Sequence, residues 1–467
     1  MAEAVARAIG ERSSLVVEAG TGVGKTYAYL VPLLVSGKRG LVSTATKSLQ
    51  DQLYLRDLPR LVETLAVPVR MALLKGRASY LCRHRLQQAR ATAQLPDRFA
   101  VRALARVETW AQATRTGDMA EIEGLDERSP VIPLVTSTRD NCLGADCPEY
   151  RACHVVQARR EAMAADLVVV NHHLFFADMA LRDSGVAELL PTVDVAIFDE
   201  AHQLVDAGVQ FLGATLSTAQ AIDLARDVLA VGLAQARGLG RWHDLATALE
   251  KSTRELRLAC AGGTADIRGS RRVRWDDRLG GDDFHGALEA LQGAASEAAA
   301  GLSAVAEVGP DFPRLQQRAA ELAAMVERFI RPAGNDHVRW IDISAQQARL
   351  VESPLDIREM LTEQRGSGSR AWIFTSATLG DDDRLTWFTE STGLEDAVTL
   401  RVSSPFDYPR HARLWVPASF PRPNDPGHST AVGTLAASLA QAVGGRTFVL
   451  TTTLRAGSRR SAATISL

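Results

Sequence analysis

Short unbroken apolar runs recur along the chain, and each ends abruptly in small or polar residues. Leu15-Val16-Val17, Leu41-Val42, Met71-Ala72-Leu73-Leu74, Leu167-Val168-Val169-Val170, Val195-Ala196-Ile197-Phe198 and Trp372-Ile373-Phe374 are of this kind. Apolar residues without alternation mark strands buried on both faces, as in parallel sheets covered by helices. Helical spacing separates them, first at Met1 to Gly10 and again from about Lys25, where Pro32 predicts a kink. Strands alternating with helices predict an open α/β sheet, whose ligands lie beyond the strand carboxyl ends.

A different texture runs from about Val209 to Arg331. Helical spacing fills Ala219 to Leu233, Leu245 to Ala261, Ala287 to Val305 and Phe312 to Phe329. Gly262 to Asp283 interrupts it, polar and glycine-rich, with a basic knot at Arg268, Arg271, Arg272 and Arg274. This predicts an all-helical insertion. Sheet texture returns at Val338-Arg339-Trp340-Ile341, and Ser403-Ser404-Pro405-Phe406-Asp407 reads as a linker. Beyond it the pattern predicts a strand at Leu414 to Val416, a helix at Ala431 to Val443 and a strand at Thr447 to Leu450. The tail from Arg455 to Leu467 has no apolar period.

The strand ends carry the candidate chemistry. After Leu15-Val16-Val17-Glu18 the chain reads Ala19-Gly20-Thr21-Gly22-Val23-Gly24-Lys25-Thr26, a glycine-rich turn opening a helix. Such a turn aims backbone N–H groups and a helix N-terminus at a triphosphate. Gly20, Thr21, Gly22, Gly24, Lys25 and Thr26 are the candidate ATP-binding residues; Lys25 suits the β- and γ-phosphates and Thr26 a Mg²⁺ ion. Asp199-Glu200-Ala201-His202 follows the strand at Val195 to Phe198. Asp199 suits Mg²⁺ opposite Thr26, and Glu200 suits the attacking water. Thr44, Thr46 and Gln52 lie at a strand end and helix start, fitting either helix capping or a nucleic-acid backbone. Asn171-His172-His173 and Thr375-Ser376-Ala377-Thr378-Leu379 place polar groups at two further strand ends; neighbouring histidines on an extended chain do not share a ligand.

Composition narrows the class. The 467 residues are 46% hydrophobic and 23% charged, with a net charge of −2. That length predicts two to four domains, and near-neutrality means any nucleic-acid signal is local. One exists: Arg70 to Arg115 holds ten basic residues against Asp97 and Glu108. It reads either as a phosphate-binding face or as a solvated helix face with remote acidic partners. Four of the five cysteines fall in or near it: Cys82, then Cys142, Cys147 and Cys153 spaced C-x4-C-x5-C. Thiolates suit Zn²⁺ and Fe–S clusters; the wider gap lies outside the usual zinc knuckle, and four thiolates lean toward [4Fe–4S]. Cys260 sits in a helical stretch and reads as a buried apolar residue. No early segment has the order of a signal peptide and no apolar run there spans a bilayer, so the expected compartment is the cytoplasm.

Taken in order, these residues resemble the DinG/YoaA-type members of the XPD-like iron–sulphur helicases, in superfamily 2. Ala19–Thr26 looks like motif I, Ser43–Leu53 like motif Ia and Asp199–His202 like the DEAH box. Thr375–Leu379 looks like motif III, and Gly445–Thr452 like the strand opening the second motor lobe. The resemblance implies a RecA-like lobe over 1–75, 161–206 and 338–400. An Fe–S domain at 76–160 and a helical arch at 207–337 interrupt it, and a partial second lobe covers 401–467. It implies a monomeric, nucleoid-associated, Mg-ATP-driven 5′-to-3′ helicase acting on single-stranded or forked DNA alongside repair or replication proteins. Cys82, Cys142, Cys147 and Cys153 would be the cluster ligands, and His202 would link the ATP and DNA sites. No Q-x-x-G-R-x-x-R type segment stands between Arg401 and Leu467, so a truncated, slowly hydrolysing chain is expected. The competing reading is an Fe–S-containing fragment that binds single strands or junctions without motor activity. Residues alone leave RNA open as the track.

Overall fold

In a computed structural model, strand positions follow the apolar runs. It describes residues 1–450 except 93–96, 127–128, 139–140, 184–188, 263–268, 280, 335, 367–369, 424 and 446. Arg268, the stretch 451–454 and the tail 455–467 therefore lie outside the described residues. Among the described residues the strands are β1 (Ser14–Ala19), β2 (Gly40–Thr44), β3 (Met71–Leu73), β4 (Leu167–Asn171), β5 (Val195–Asp199), β6 (Ala214–Ser217), β7 (Ser270–Arg274), β8 (His337–Ser344), β9 (Ala348–Pro354), β10 (Ala371–Ser376) and β11 (Val398–Val402).

Seven of them form one parallel sheet in the order β11-β1-β10-β5-β2-β4-β3. The protein is α/β in class. Alternate side chains divide between two cores. Leu15, Val17, Val42, Val169, Ile197 and Ile373 pack on one face with Tyr29, Leu30 and Leu33 of the helix Lys25–Ser36. Val16, Leu41, Val168, Val170, Phe198, Trp372 and Phe374 pack on the other with Phe175 and Phe176. Each large side chain so buried contributes about 1.5–3 kcal/mol. Because every strand is parallel, the carboxyl ends of β1, β2, β5 and β10 lie along one edge, where Glu18 pairs in register with Ser376 and Thr375 with Asp199.

The four helices expected in the insertion are present as Thr218–Gln235, Trp242–Cys260, Asp282–Ser303 and Asp311–Ile330. The insertion is nevertheless not all-helical. An antiparallel sheet, β6-β9-β8-β7, shares its core: Leu216, Val273, Ile341, Ile343 and Leu350 pack with Leu249, Leu291 and Phe329. Nor does the strand at Val338 to Ile341 return the chain to the parallel sheet, because β8 pairs with β7 and β9. The return comes at β10. β7 escapes a pattern reading because Ser-Arg-Arg-Val-Arg has one apolar residue, Val273, and its strand form depends on pairing with β8. A separate small core, including Leu81, Leu86, Leu104, Val107 and Val135, underlies residues 81–135.

The chain divides after Pro405. β11 lies before that point and pairs with β1, so Arg401 belongs to the first unit and not to a second lobe. In the second unit, helices Tyr408–His411 and His428–Ala442 form, but the strands expected at Leu414 to Val416 and Thr447 to Leu450 do not. Leu414, Phe448 and Leu450 are more than nine-tenths exposed. A strand needs a ladder partner, and among the described residues the stretch Leu414 to Val416 is paired with no other strand. No helix among the described residues is long and apolar enough to cross a membrane.

Candidate functional site: a nucleotide crevice and a cysteine cavity

β1 delivers the chain to the glycine turn. Gly24 has φ +73°, a left-handed conformation that other residues adopt at a cost. A Cβ on Gly20 would stand 2.6 Å from the backbone nitrogen of Ser404. The turn leans on the end of β11: Gly20 N–H donates to the Val402 carbonyl (2.9 Å) and the Ser404 hydroxyl to the Thr21 carbonyl (2.6 Å). The helix carrying Lys25 and Thr26 starts there and runs on through Pro32.

Lys25, Asp199 and Glu200 meet. Lys25 Nζ lies 2.6 Å from Glu200 Oε1 and 3.1 Å from Asp199 Oδ1. Tyr29, fully buried one helical turn after Lys25, donates to Asp199 Oδ2 at 3.1 Å. Burial pushes the Asp199 carboxyl up against the opposing pull of Lys25. Burial and the Asp199 charge push the Tyr29 phenol well above its usual value, so it stays a donor. Asp199 Oδ1 is buried and, its ion pair aside, has no hydrogen-bond partner. A buried acceptor so placed fits a cation or the water that a cation carries. Glu200 itself has φ +55°, a strained backbone for a non-glycine residue. His202 Nδ1 lies 2.8 Å from Ser376 Oγ and 3.3 Å from Glu200 Oε2. The crevice thus gathers Lys25, Thr26, Asp199, Glu200, His202 and Ser376 from separate strand ends.

Tyr29, Ser404 and Glu18 were not legible as site residues. The one available signal was Tyr29's i+4 spacing from Lys25, which puts both on one helix face. The adjacent histidines separate: His172 is buried with Nδ1 2.7 Å from Ser43 Oγ, while His173 is exposed. Burial lowers His172 to about 3, so it is neutral. Thr46 caps the helix Lys47–Gln52 by accepting from Leu49 N–H, and Gln52 donates to Asp57.

The four cysteines line one cavity of about 210 Å³, with Arg77 and Arg159 also in its wall. Cys82 precedes the helix Arg83–Thr92, Cys147 follows a 3-10 turn and Cys153 precedes the helix His154–Ala164. Arg77 Nη1 donates to Cys142 Sγ at 2.6 Å, and Gly144 N–H also points at that sulphur. Burial pushes the Cys82 and Cys147 thiols up. Among the described residues no three His, Cys, Asp or Glu side chains converge as ligands of one ion. Four thiols lining one cavity are a donor set of the chemistry that thiolate-held metal groups use. Cys260 is fully buried in the insertion core.

Part of the basic stretch is ion-paired. Lys75, 2% exposed, sits 2.6 Å from both Asp51 and Asp118; Arg70 pairs with Asp166 and Arg90 with Glu108. Arg98, Arg102 and Arg106 are exposed on the helix Arg98–Ala111.

A glycine turn, a strand-end Asp-Glu pair and a lysine joining them define a P-loop nucleoside-triphosphate-binding protein. Residues 2–113 match the DEAD/DEAH box helicase family model. The chain is 39% identical to the ATP-dependent DNA helicase YoaA of Haemophilus influenzae, over 97% of this chain and 70% of that protein. It is 40% identical to YoaA of Escherichia coli over the same shares. To the ATP-dependent helicase DinG of Mycobacterium tuberculosis it is 34% identical, over 98% of this chain and 71% of that protein. The chain belongs to the DinG/YoaA family of ATP-dependent DNA helicases.

Proposed function

We propose that the chain is a Mg-ATP-driven DNA helicase that translocates 5′ to 3′ along a single strand, acting with repair or replication proteins. The observation carrying this reading is the convergence of Lys25, Asp199 and Glu200 at the crevice edge. With nucleotide bound, Lys25 exchanges its carboxylate partners for the β- and γ-phosphates. Glu200, relieved of Lys25, orients the attacking water and accepts its proton. Thr26 and Asp199 would hold Mg²⁺, which neutralises phosphate charge. Tyr29 keeps the Asp199 carboxylate aimed. His202, bridging Glu200 and Ser376, would carry the state of the site toward the DNA-binding side. Cys82, Cys142, Cys147 and Cys153 would hold a [4Fe–4S] cluster that staples residues 76–160.

The test is steady-state ATP hydrolysis by the anaerobically purified chain, with and without single-stranded DNA, beside Lys25→Ala. Turnover stimulated by the strand and abolished in Lys25→Ala supports the reading, with single-strand affinity unchanged in the variant. DNA binding without turnover in the wild type would overturn it.

A further inference from the structure

Glu18 lies on β1, two residues before the glycine turn, and its carboxylate reaches β11 on one side and the segment following β10 on the other. Oε2 accepts from Leu379 N–H at 2.8 Å and from Gly380 N–H at 3.2 Å. Oε1 accepts from Arg401 Nε at 3.1 Å and Nη2 at 2.9 Å. The register explains the reach: Glu18 stands opposite Ser376 in β10 and opposite Arg401 in β11. Its side chain is 13% exposed. Burial works against the charge, but the two N–H groups and Arg401 outweigh it and hold the carboxyl below the usual glutamate range.

These contacts close a circuit. From the turn, Lys25 reaches Glu200; Glu200 and Ser376 both meet His202 Nδ1. Ser376 begins the segment 376–380, whose far end is held by Glu18, and Glu18 returns along β1 to the turn. Any change that draws Lys25 from Glu200 alters one end of 376–380 while the other end is fixed. Held at Leu379 and Gly380 by Glu18, the segment forms one link of a continuous hydrogen-bonded network between the Lys25–Glu200 contact and the phosphate-binding strand.

We propose that Glu18 is a positioning residue of ATP turnover, anchoring the segment 376–380 to the phosphate-binding strand so that it responds to the Lys25–Glu200 contact through His202 and Ser376. The proposal rests on the nucleotide reading above. Glu18 acts through other residues and touches no phosphate.

The experiment is hydrogen–deuterium exchange on the whole chain, with and without Mg-ATP, for the wild type, Glu18→Ala and Glu18→Gln. In the wild type, Mg-ATP should slow exchange at residues 20–26 and also at 376–380. In Glu18→Ala the protection at 20–26 persists and that at 376–380 is lost. Glu18→Gln keeps one oxygen for the two N–H groups and loses the charge facing Arg401, so it should retain part of the response if the alanine variant folds poorly. In turnover assays, the KM for ATP should stay within about twofold while kcat falls about tenfold to a hundredfold, the scale of a misplaced reacting group. Equal nucleotide-dependent protection of 376–380 in wild type and Glu18→Ala would overturn the proposal, as would a matched change in kcat and KM. No protection at 20–26 in the wild type would instead sink the nucleotide reading itself.

Discussion

At the scale of single residues, the crevice depends on groups that hold carboxylates in place before any phosphate arrives. Tyr29 is the clearest case. Its hydroxyl is the only hydrogen-bond donor to Asp199 among the described contacts, the Lys25 ion pair aside. Tyr29→Phe leaves a buried oxygen without its donor, a loss of about 1–3 kcal/mol. Thermal denaturation should show that loss in the nucleotide-free chain and a smaller one in excess Mg-ATP, where the carboxylate gains a new partner. Equal losses in both conditions would mean Tyr29 serves packing alone. The glycine turn and the Asp199-Glu200 pair were legible because each residue type is demanded by backbone geometry or charge. Tyr29, Glu18 and Ser404 were not, because an aromatic in a helix, an acid in a strand and a serine before proline are ordinary until tertiary contacts give them partners.

At the scale of elements, buried charge decides which substitutions hurt. Arg339 and Glu352 join β8 to β9 inside the insertion, each about nineteen-twentieths buried, with Arg328 on the same carboxylate. Arg339 also lies over the rings of Trp275 and Phe329. Burial works against the Glu352 carboxylate, but the two guanidiniums outweigh it and hold it below the ordinary glutamate value of 4.5. Since the folded pKa lies below the unfolded one, this stabilisation is complete above about pH 4.5 and is lost as pH falls through the folded value. Glu352→Gln should cost about 3–5 kcal/mol at neutral pH by stranding a buried guanidinium. Exchange in the helices Trp242–Cys260 and Asp311–Ile330 should accelerate, and the difference from wild type should shrink below pH 4.5. A constant difference across pH would refute the charge argument. Of the sheet holding this pair only the β8 stretch at Val338 to Ile341 was legible, because β6 and β7 are short and β7 carries one apolar residue; the helices around them, long and periodic, were legible. The cysteine cavity is subject to a parallel test. Cys147→Ser should lower iron per chain to near zero and raise exchange across residues 76–160, with the parallel sheet unaffected; unchanged iron content would reject Cys147 as a ligand.

At the scale of the whole molecule, all seven strands of the parallel sheet, both of its cores and the insertion precede Pro405. Every candidate nucleotide and cluster residue lies there too. The second unit is different in kind: Leu414, Trp415, Val416, Phe448 and Leu450 are each at least 61% exposed. Apolar side chains left in water contribute nothing to the unit's stability and offer surface to dyes and to other chains. A fragment of residues 1–405 should therefore unfold within about 2 °C of the full chain, a difference below about 1 kcal/mol. If the proposed cluster and nucleotide roles hold, it should retain iron and the response to Mg-ATP, and it should bind a hydrophobic dye such as anilinonaphthalene sulphonate more weakly. A fragment that loses its transition, or binds more dye than the full chain, would show that residues 406–467 complete the core of the first unit.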